Sequence, residues 1–258
     1  MITNKKVKEL VALNQKSKER KKNGVFLAEG IKMFLEAPAD RIREVYVSES
    51  FFATEECRKK LEITGYETVP EDTFKKIADT MTPQGILCVI NRMEHSLEKM
   101  LDAPKPVIML LEDLQDPGNL GTIVRTGEGA GITGVILSKG CVDIYNPKTI
   151  RSTVGSVYRV PFIYVESLQD TVALLKEKGI CVYAAHLKGE AYYDEFSYFE
   201  KKGTAFLIGN EGKGLTDELA GMADAYLKIP MEGQVESLNA AVAASVLMYE
   251  TLRQKRKA

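Results

Sequence analysis

Asn210, Glu211 and Lys213 sit in GNEGKG, where glycine alternates with polar or charged residues directly after the apolar pair Leu207–Ile208. A strand that ends in such a loop must bend sharply and still present an amide, a carboxylate and an ammonium group. Three chemistries are open to it: a phosphate cradle, a plain glycine turn, or half of a site completed elsewhere in the chain. The cradle fits poorly. A phosphate-binding loop has the spacing G-x-x-x-x-G-K-[ST], and here Lys213 is followed by Gly214, with no hydroxyl to hold magnesium. GAGITG, Gly129–Gly134, has the letters of the dinucleotide fingerprint in the wrong place. Its glycines close a predicted helix and lead into a strand, whereas the fingerprint follows a strand and opens a helix. A nucleotide-dependent oxidoreductase and an NTPase are both poor readings.

The remaining reactive residues are sparse. His95 and His186 are the only histidines, so neither a histidine-built metal site nor a triad is expected. Cys57, Cys88, Cys141 and Cys181 form no C-x-x-C pair, which argues against zinc and a disulfide framework and suits a reducing compartment. Tyr192 and Tyr193 read as a base-stacking pair or a packed surface pair.

The elements that must position these residues fall into two regions. Asp102, Pro104 and Pro106 interrupt regular structure, which places a linker at 99–106 between a region at 1–98 and another at 107–258. The first region mixes short strands with helices: a basic helix over 4–21, strands in GVFLAEG, IREVYVSES, YETVP and GILCVINRM, and a helix opened by Asp72. That pattern predicts a small α/β/α domain. In the second, apolar strands alternate with helices, PKTIRSTVGS among them, and a last helix starts at Ser237. Such alternation predicts a mostly parallel sheet covered on both faces, whose ligands sit beyond the carboxyl ends of the strands. EDLQDPGN, GNEGKG and PMEGQVESLN all follow strands and are the candidate site loops.

Net charge is −1, but lysines and arginines crowd residues 5–22 and 253–257. These blocks read as a phosphate-backbone contact or as solvated helix faces. No apolar run is long enough to span a bilayer and the N-terminus has no apolar signal region, so the expectation is a cytoplasmic protein without a membrane partner.

As a set, DPGNLGTIVRT (Asp116–Thr126), LIGNEGKGL (Leu207–Leu215) and IPMEGQVESLNAAVAAS (Ile229–Ser245) closely resemble the three ordered motifs of the SpoU, or TrmH-like, family of RNA ribose 2′-O-methyltransferases in the SPOUT superfamily. The resemblance covers residues 107–258. The first region, opened by KERKKNGVFLAEG, resembles the L30e-like substrate-binding domain of many members. This implies an α/β fold with a deep trefoil knot, an exception to unknotted connections. It also implies S-adenosylmethionine bound in the knot and a homodimer with the catalytic pocket near the subunit interface. The residues that match as cofactor-binding are Leu207, Gly209, Asn210, Ile229, Met231 and Leu238. GNEGKG is then a close-approach loop for a nucleoside. The matching catalytic set is Arg125, Asn119, Glu211, Ser237 and Asn239, and no metal is required. The family casts Arg125 as the base or as the group that activates the hydroxyl. Because a guanidinium is not normally deprotonated, Arg125 also reads as a donor to the RNA phosphate and the developing alkoxide. Ser237 has a second reading as the N-cap of the last helix. The separate first domain favours ribosomal RNA, with a tRNA enzyme or a non-catalytic RNA-binding protein as alternatives. The five intact catalytic-type residues speak against the last.

Overall fold

The computed structural model describes residues 2–189 and 191–257. They fall into two units. One runs to Glu94 and takes back Asp143–Tyr158; the other comprises His95–Val142 and the chain from Arg159 onward.

In the first unit α1 (Asn4–Gln15) and α2 (Ser17–Asn23) precede β1 (Val25–Glu29), α3 (Ile31–Glu36), β2 (Ile42–Ser48), α4 (Glu55–Thr64), β3 (Glu67–Val69), α5 (Glu71–Ile77) and β4 (Ile86–Asn91). The sheet order is β1-β4-β2-β3, with only β2 and β3 parallel. VFLAE and ILCVIN are apolar at successive positions, so both sheet faces must be covered. Leu10 and Leu13 of α1 and Phe74 and Ile77 of α5 cover one, packing on Val25, Leu27, Leu87 and Val89. The basic stretch read as one helix over 4–21 is two helices, broken at Lys16, whose backbone is extended. Helix α5 opens at Glu71 after Pro70, not at Asp72.

The second unit contains α6 (Leu97–Leu101), β5 (Val107–Leu111), α7 (Pro117–Ala130) and β6 (Gly134–Ser138). Helix α8 (Pro147–Thr153) intervenes before β7 (Phe162–Val165), α9 (Leu168–Glu177), β8 (Ile180–Ala185), β9 (Ala191–Tyr192), β10 (Gly203–Ile208), α10 (Asp217–Ala220), β11 (Ala225–Lys228) and α11 (Ala240–Lys255). Seven strands in the order β7-β6-β5-β10-β8-β11-β9 form a wholly parallel sheet. Strands β5 and β10 are central and buried at every residue, as their unbroken apolar runs require. Leu111 pairs with Ile208 at their ends. The loops carrying EDLQDPGN and GNEGKG therefore leave the sheet side by side. The expected mostly parallel α/β sheet is present.

Two segments depart from a single cut at 99–106. Helix α6 enters the linker region and buries Met100 and Leu101 in the second unit's core. Asp143–Tyr158, including α8, belongs to the first unit. The Tyr145 ring stacks on Phe26 at 4.5 Å, and Tyr158 Oη donates to the Met33 carbonyl at 3.1 Å. Asp143 accepts from Ser17 Oγ at 2.7 Å and from Arg20 Nη2 at 2.8 Å. Apolar periodicity marks a helix at PKTIRST but not which sheet it covers. Among the described residues no helix is long and apolar enough to cross a membrane.

Arg20 is 3% exposed, and its Nη1 also donates to the carbonyls of Leu13 and Asn14. Removing one partner of a buried pair strands the other charge, which costs about 3 kcal/mol. Arg20→Ala is expected to lower the unfolding free energy of the first unit by that amount, read by urea denaturation at equilibrium. A loss below about 1 kcal/mol, the range of exposed pairs, would show that the pair does not hold Asp143 in place.

Candidate active site

The site is built where β5 and β10 end and the terminal helix begins. Asp116 opens α7 by accepting from the Asn119 N–H at 2.8 Å, and Pro117 follows at the first helical position, where its missing N–H costs nothing. The GNEGKG loop closes on itself. Asn210 and Gly214 exchange backbone hydrogen bonds of 3.1 and 2.9 Å, and Asn210 Oδ1 accepts from the N–H groups of Gly212 and Lys213. Two of its glycines are obligatory. A Cβ on Gly209 would stand 2.1 Å from the Gly214 carbonyl carbon, and Gly214 has φ +70°. At its C-terminal end α7 stops at Gly131, in the left-handed conformation, so GAGITG is a helix stop.

Glu211 joins the loops. Its carboxylate accepts from the N–H groups of Gln115 at 3.1 Å and Asp116 at 2.9 Å, and from Asn119 Nδ2 at 3.0 Å. Asn119 Oδ1 in turn accepts from Asn239 Nδ2 at 3.0 Å. Asn239 Oδ1 accepts from the N–H groups of Ala241 and Val242 and caps α11. One relay, Glu211–Asn119–Asn239, thus ties together residues from all three candidate loops. The N-cap expected at Ser237 is a correction: Asn239 takes that place, and Ser237 is exposed with no side-chain hydrogen bond to a described residue.

The other expected residues are distributed as follows. Arg125 is exposed, six residues along α7 from Asn119, with no hydrogen bond or ion pair to any described residue. Leu207 is fully buried in the core, so only its backbone faces the loop. Ile229, Met231 and Leu238 are half-buried in the stretch between β11 and α11. Residues 229–238 make no main-chain hydrogen bond among the described residues. The histidines pack: His186 stacks on Tyr226 at 5.0 Å, and His95 meets the Phe162 edge at 5.0 Å.

Sequence reading missed a second layer. Asp113 has φ +51° in a non-glycine residue. Its N–H donates to Ser138 Oγ at 2.9 Å, the same hydroxyl donates to Asp113 Oδ1 at 2.7 Å, and Asn210 Nδ2 donates to the Asp113 carbonyl at 2.8 Å. The buried Cys141 thiol accepts from the Leu114 N–H and donates to the Leu111 carbonyl. Burial pushes its pKa up, which keeps that proton in place. Glu112 accepts from the N–H and hydroxyl of Thr216, the cap of α10.

Similarity to known proteins extends over nearly the whole chain. The model of the SpoU rRNA methylase family matches residues 106–249, and that of the MRM3-like substrate binding domain matches residues 4–88. The chain is 37% identical over 249 residues, 95% of each chain, to the 23S rRNA (guanosine(2553)-2′-O)-methyltransferase RlmP of Bacillus subtilis. The crystal structure of the SpoU methyltransferase AviRb from Streptomyces viridochromogenes with AdoMet superposes with a TM-score of 0.87 at 26% identity, over 99% of this chain and 100% of that one. An AdoMet-bound rRNA methyltransferase from Sinorhizobium meliloti gives 0.83 at 30% identity, over 98% and 96%.

Burial pushes the Glu211 carboxyl upward, but the hydrogen bonds from Asn119, Asp116 and Gln115 outweigh it and hold its pKa below the ordinary carboxylate value. With the folded value depressed, the stabilisation is fully present above the unfolded value of ~4.3 and is lost as pH falls through the lower folded value. Glu211→Gln should therefore melt at a lower temperature than wild type near neutral pH, with the gap closing on acidification through that window. A gap that does not change with pH would show that the charge of Glu211 is not what binds the loops.

Proposed function

The chain belongs to the SpoU rRNA methylase family, the S-adenosylmethionine-dependent RNA ribose 2′-O-methyltransferases, and on that footing we propose that its substrate is a 2′-hydroxyl of 23S ribosomal RNA. The observation that carries this reading is the Glu211–Asn119–Asn239 relay with the unpaired Arg125 on the same helix as Asn119. The substrate-binding match over residues 4–88 and the named target of the Bacillus subtilis relative favour ribosomal RNA over tRNA. The cytoplasm, where that RNA is, is the compartment we assign.

The residues present fit the cofactor. Residues 229–238 offer N–H and C=O groups without main-chain partners among the described residues. Ile229, Met231 and Leu238 offer half-buried apolar surface to a purine, and Leu207 and Asn210 contribute from the β10 end. S-adenosylmethionine supplies a methyl group activated on a sulfonium. The remaining work falls to alignment and charge. Arg125 Nη groups donate to the 2′-oxygen as its proton passes to solvent water, and to the neighbouring phosphate. The guanidinium keeps its own protons, so Arg125 acts as donor and not as base. Glu211 and Asn119 hold the loop that starts α7, Asn239 fixes the start of α11, and Ser237 is exposed to contact the ribose.

We assign a deep trefoil knot to the second unit. In support, the chain leaves β11 near the sheet edge and returns as α11 to pack on α7 beside the central strands. The first unit, apart from the returning segment, is read as the L30e-like RNA-binding domain. A homodimer is inferred from α11, where Val242 and Tyr249 are 47% and 51% exposed and Val246 lies between them on one face.

Arg125→Ala is expected to lower kcat about 100-fold or more, as loss of a single oxyanion donor does. The assay is tritium transfer from labelled cofactor to 23S transcript, with cofactor affinity within a few-fold by calorimetry. Loss of cofactor binding would mean that Arg125 belongs to the cofactor site instead. Tyr249→Glu should shift the sedimentation mass from twice 28.7 kDa to 28.7 kDa. An unchanged mass would place the subunit contact elsewhere.

A further inference from the structure

The first unit holds a groove of ≈ 650 Å³ at the edge where β1 and β2 begin and β4 ends. That volume suits a small ligand or a segment of chain. Arg41, Asn91 and Arg92 line it, and so does Gly24, whose carbonyl accepts from the Arg92 N–H at 2.9 Å. Both arginines are held in place without a carboxylate partner among the described residues. Arg92 lies over the Tyr145 ring, its guanidinium carbon 4.7 Å from the centroid, and Tyr145 is itself stacked on Phe26. Arg41 Nη1 reaches the Arg92 carbonyl at 3.4 Å. Both guanidiniums line the groove and carry forked donors that no carboxylate among the described residues occupies. The exposed Lys21 and Lys22, in the last turn of α2, add charge just before Gly24.

Asp40 and Glu94 also line the groove and form no ion pair with either arginine. A bare anion would gain nothing from them. A nucleotide would, because it offers an anionic phosphate together with donors on its ribose and base edge. Unstacked nucleotides of single-stranded RNA are recognised through stacking, base edges, 2′-hydroxyls and phosphate together.

We propose that this groove binds a nucleotide of a single-stranded segment of the RNA substrate. Arg41 and Arg92 take the phosphate, and Asp40, Asn91 and Glu94 face the ribose and base edge. The assignment rests on the reading that the substrate is RNA, and it names a surface for that recognition some distance along the chain from the methyl-transfer loops.

The test uses full-length protein and a 23S rRNA transcript, with Arg41→Ala and, because both positions are exposed, the double variant Lys21→Glu/Lys22→Glu. Arg41→Ala should raise KM for RNA ~10-fold, the loss of one charge-assisted contact. Its kcat and its affinity for S-adenosylmethionine should stay within about two-fold, a split that misfolding does not produce. In filter binding, the slope of log affinity against log salt should become shallower by about 1 for each phosphate contact removed. Asp40→Asn with Glu94→Gln should weaken binding and leave that slope unchanged. Arg41→Ala and the lysine double variant both matching a wild type that binds and methylates the transcript would overturn the groove and leave the function standing. A wild type that neither binds nor methylates it would overturn both.

Discussion

The carboxylate of Glu211 is the group on which the site depends. The loops that meet there are far apart in sequence, at 112–119, 209–215 and 229–239, and ordering each of them costs conformational entropy. The parallel sheet brings two of them alongside by pairing Leu111 with Ile208, yet a sheet fixes only where loops begin. Glu211 supplies the rest by accepting from two backbone N–H groups and the Asn119 amide, which passes the constraint on to Asn239. An ionised acceptor makes such bonds about twice as strong as a neutral one. The depressed pKa of Glu211 is the same fact seen from the proton's side.

Arg125 stands farther along the helix that Asn119 begins, with no hydrogen bond or ion pair to a described residue, while the Glu211 carboxylate is occupied by amide donors. A guanidinium left unpaired at such a position is available to an anion that arrives with the substrate. Electrostatic catalysis requires donors aimed before charge develops, and an internal salt bridge would have to break first.

Much of this was legible in the sequence because it is local. The apolar runs of β5 and β10 mark buried parallel strands, and the glycines of GNEGKG signal a sharply bent loop. What could not be read is tertiary. Ser237 and Asn239 are equally good caps by residue type, and Asn239 takes the role while its amide meets Asn119. Asp113 adopts a left-handed backbone because Ser138 and Asn210 hold it, and no residue near it in sequence announces either partner. The break at Lys16 has no glycine or proline; beyond it Ser17 and Arg20 reach Asp143, more than a hundred residues away.

That long-range pair explains why composition does not locate the boundary, whereas a motif marks a single loop. A motif requires its residues to be contiguous, since a loop's backbone has to satisfy itself within a few positions. A domain requires only that its core be covered, and the cover can come from anywhere in the chain. Phe26 is covered by Tyr145, and Arg20 is neutralised by Asp143, both from a segment flanked on each side by the second unit. Residues 1–98 alone would therefore expose an aromatic face and bury an unpaired guanidinium. The first unit is complete only when the chain returns to it, so the linker at 99–106 separates elements without separating folds.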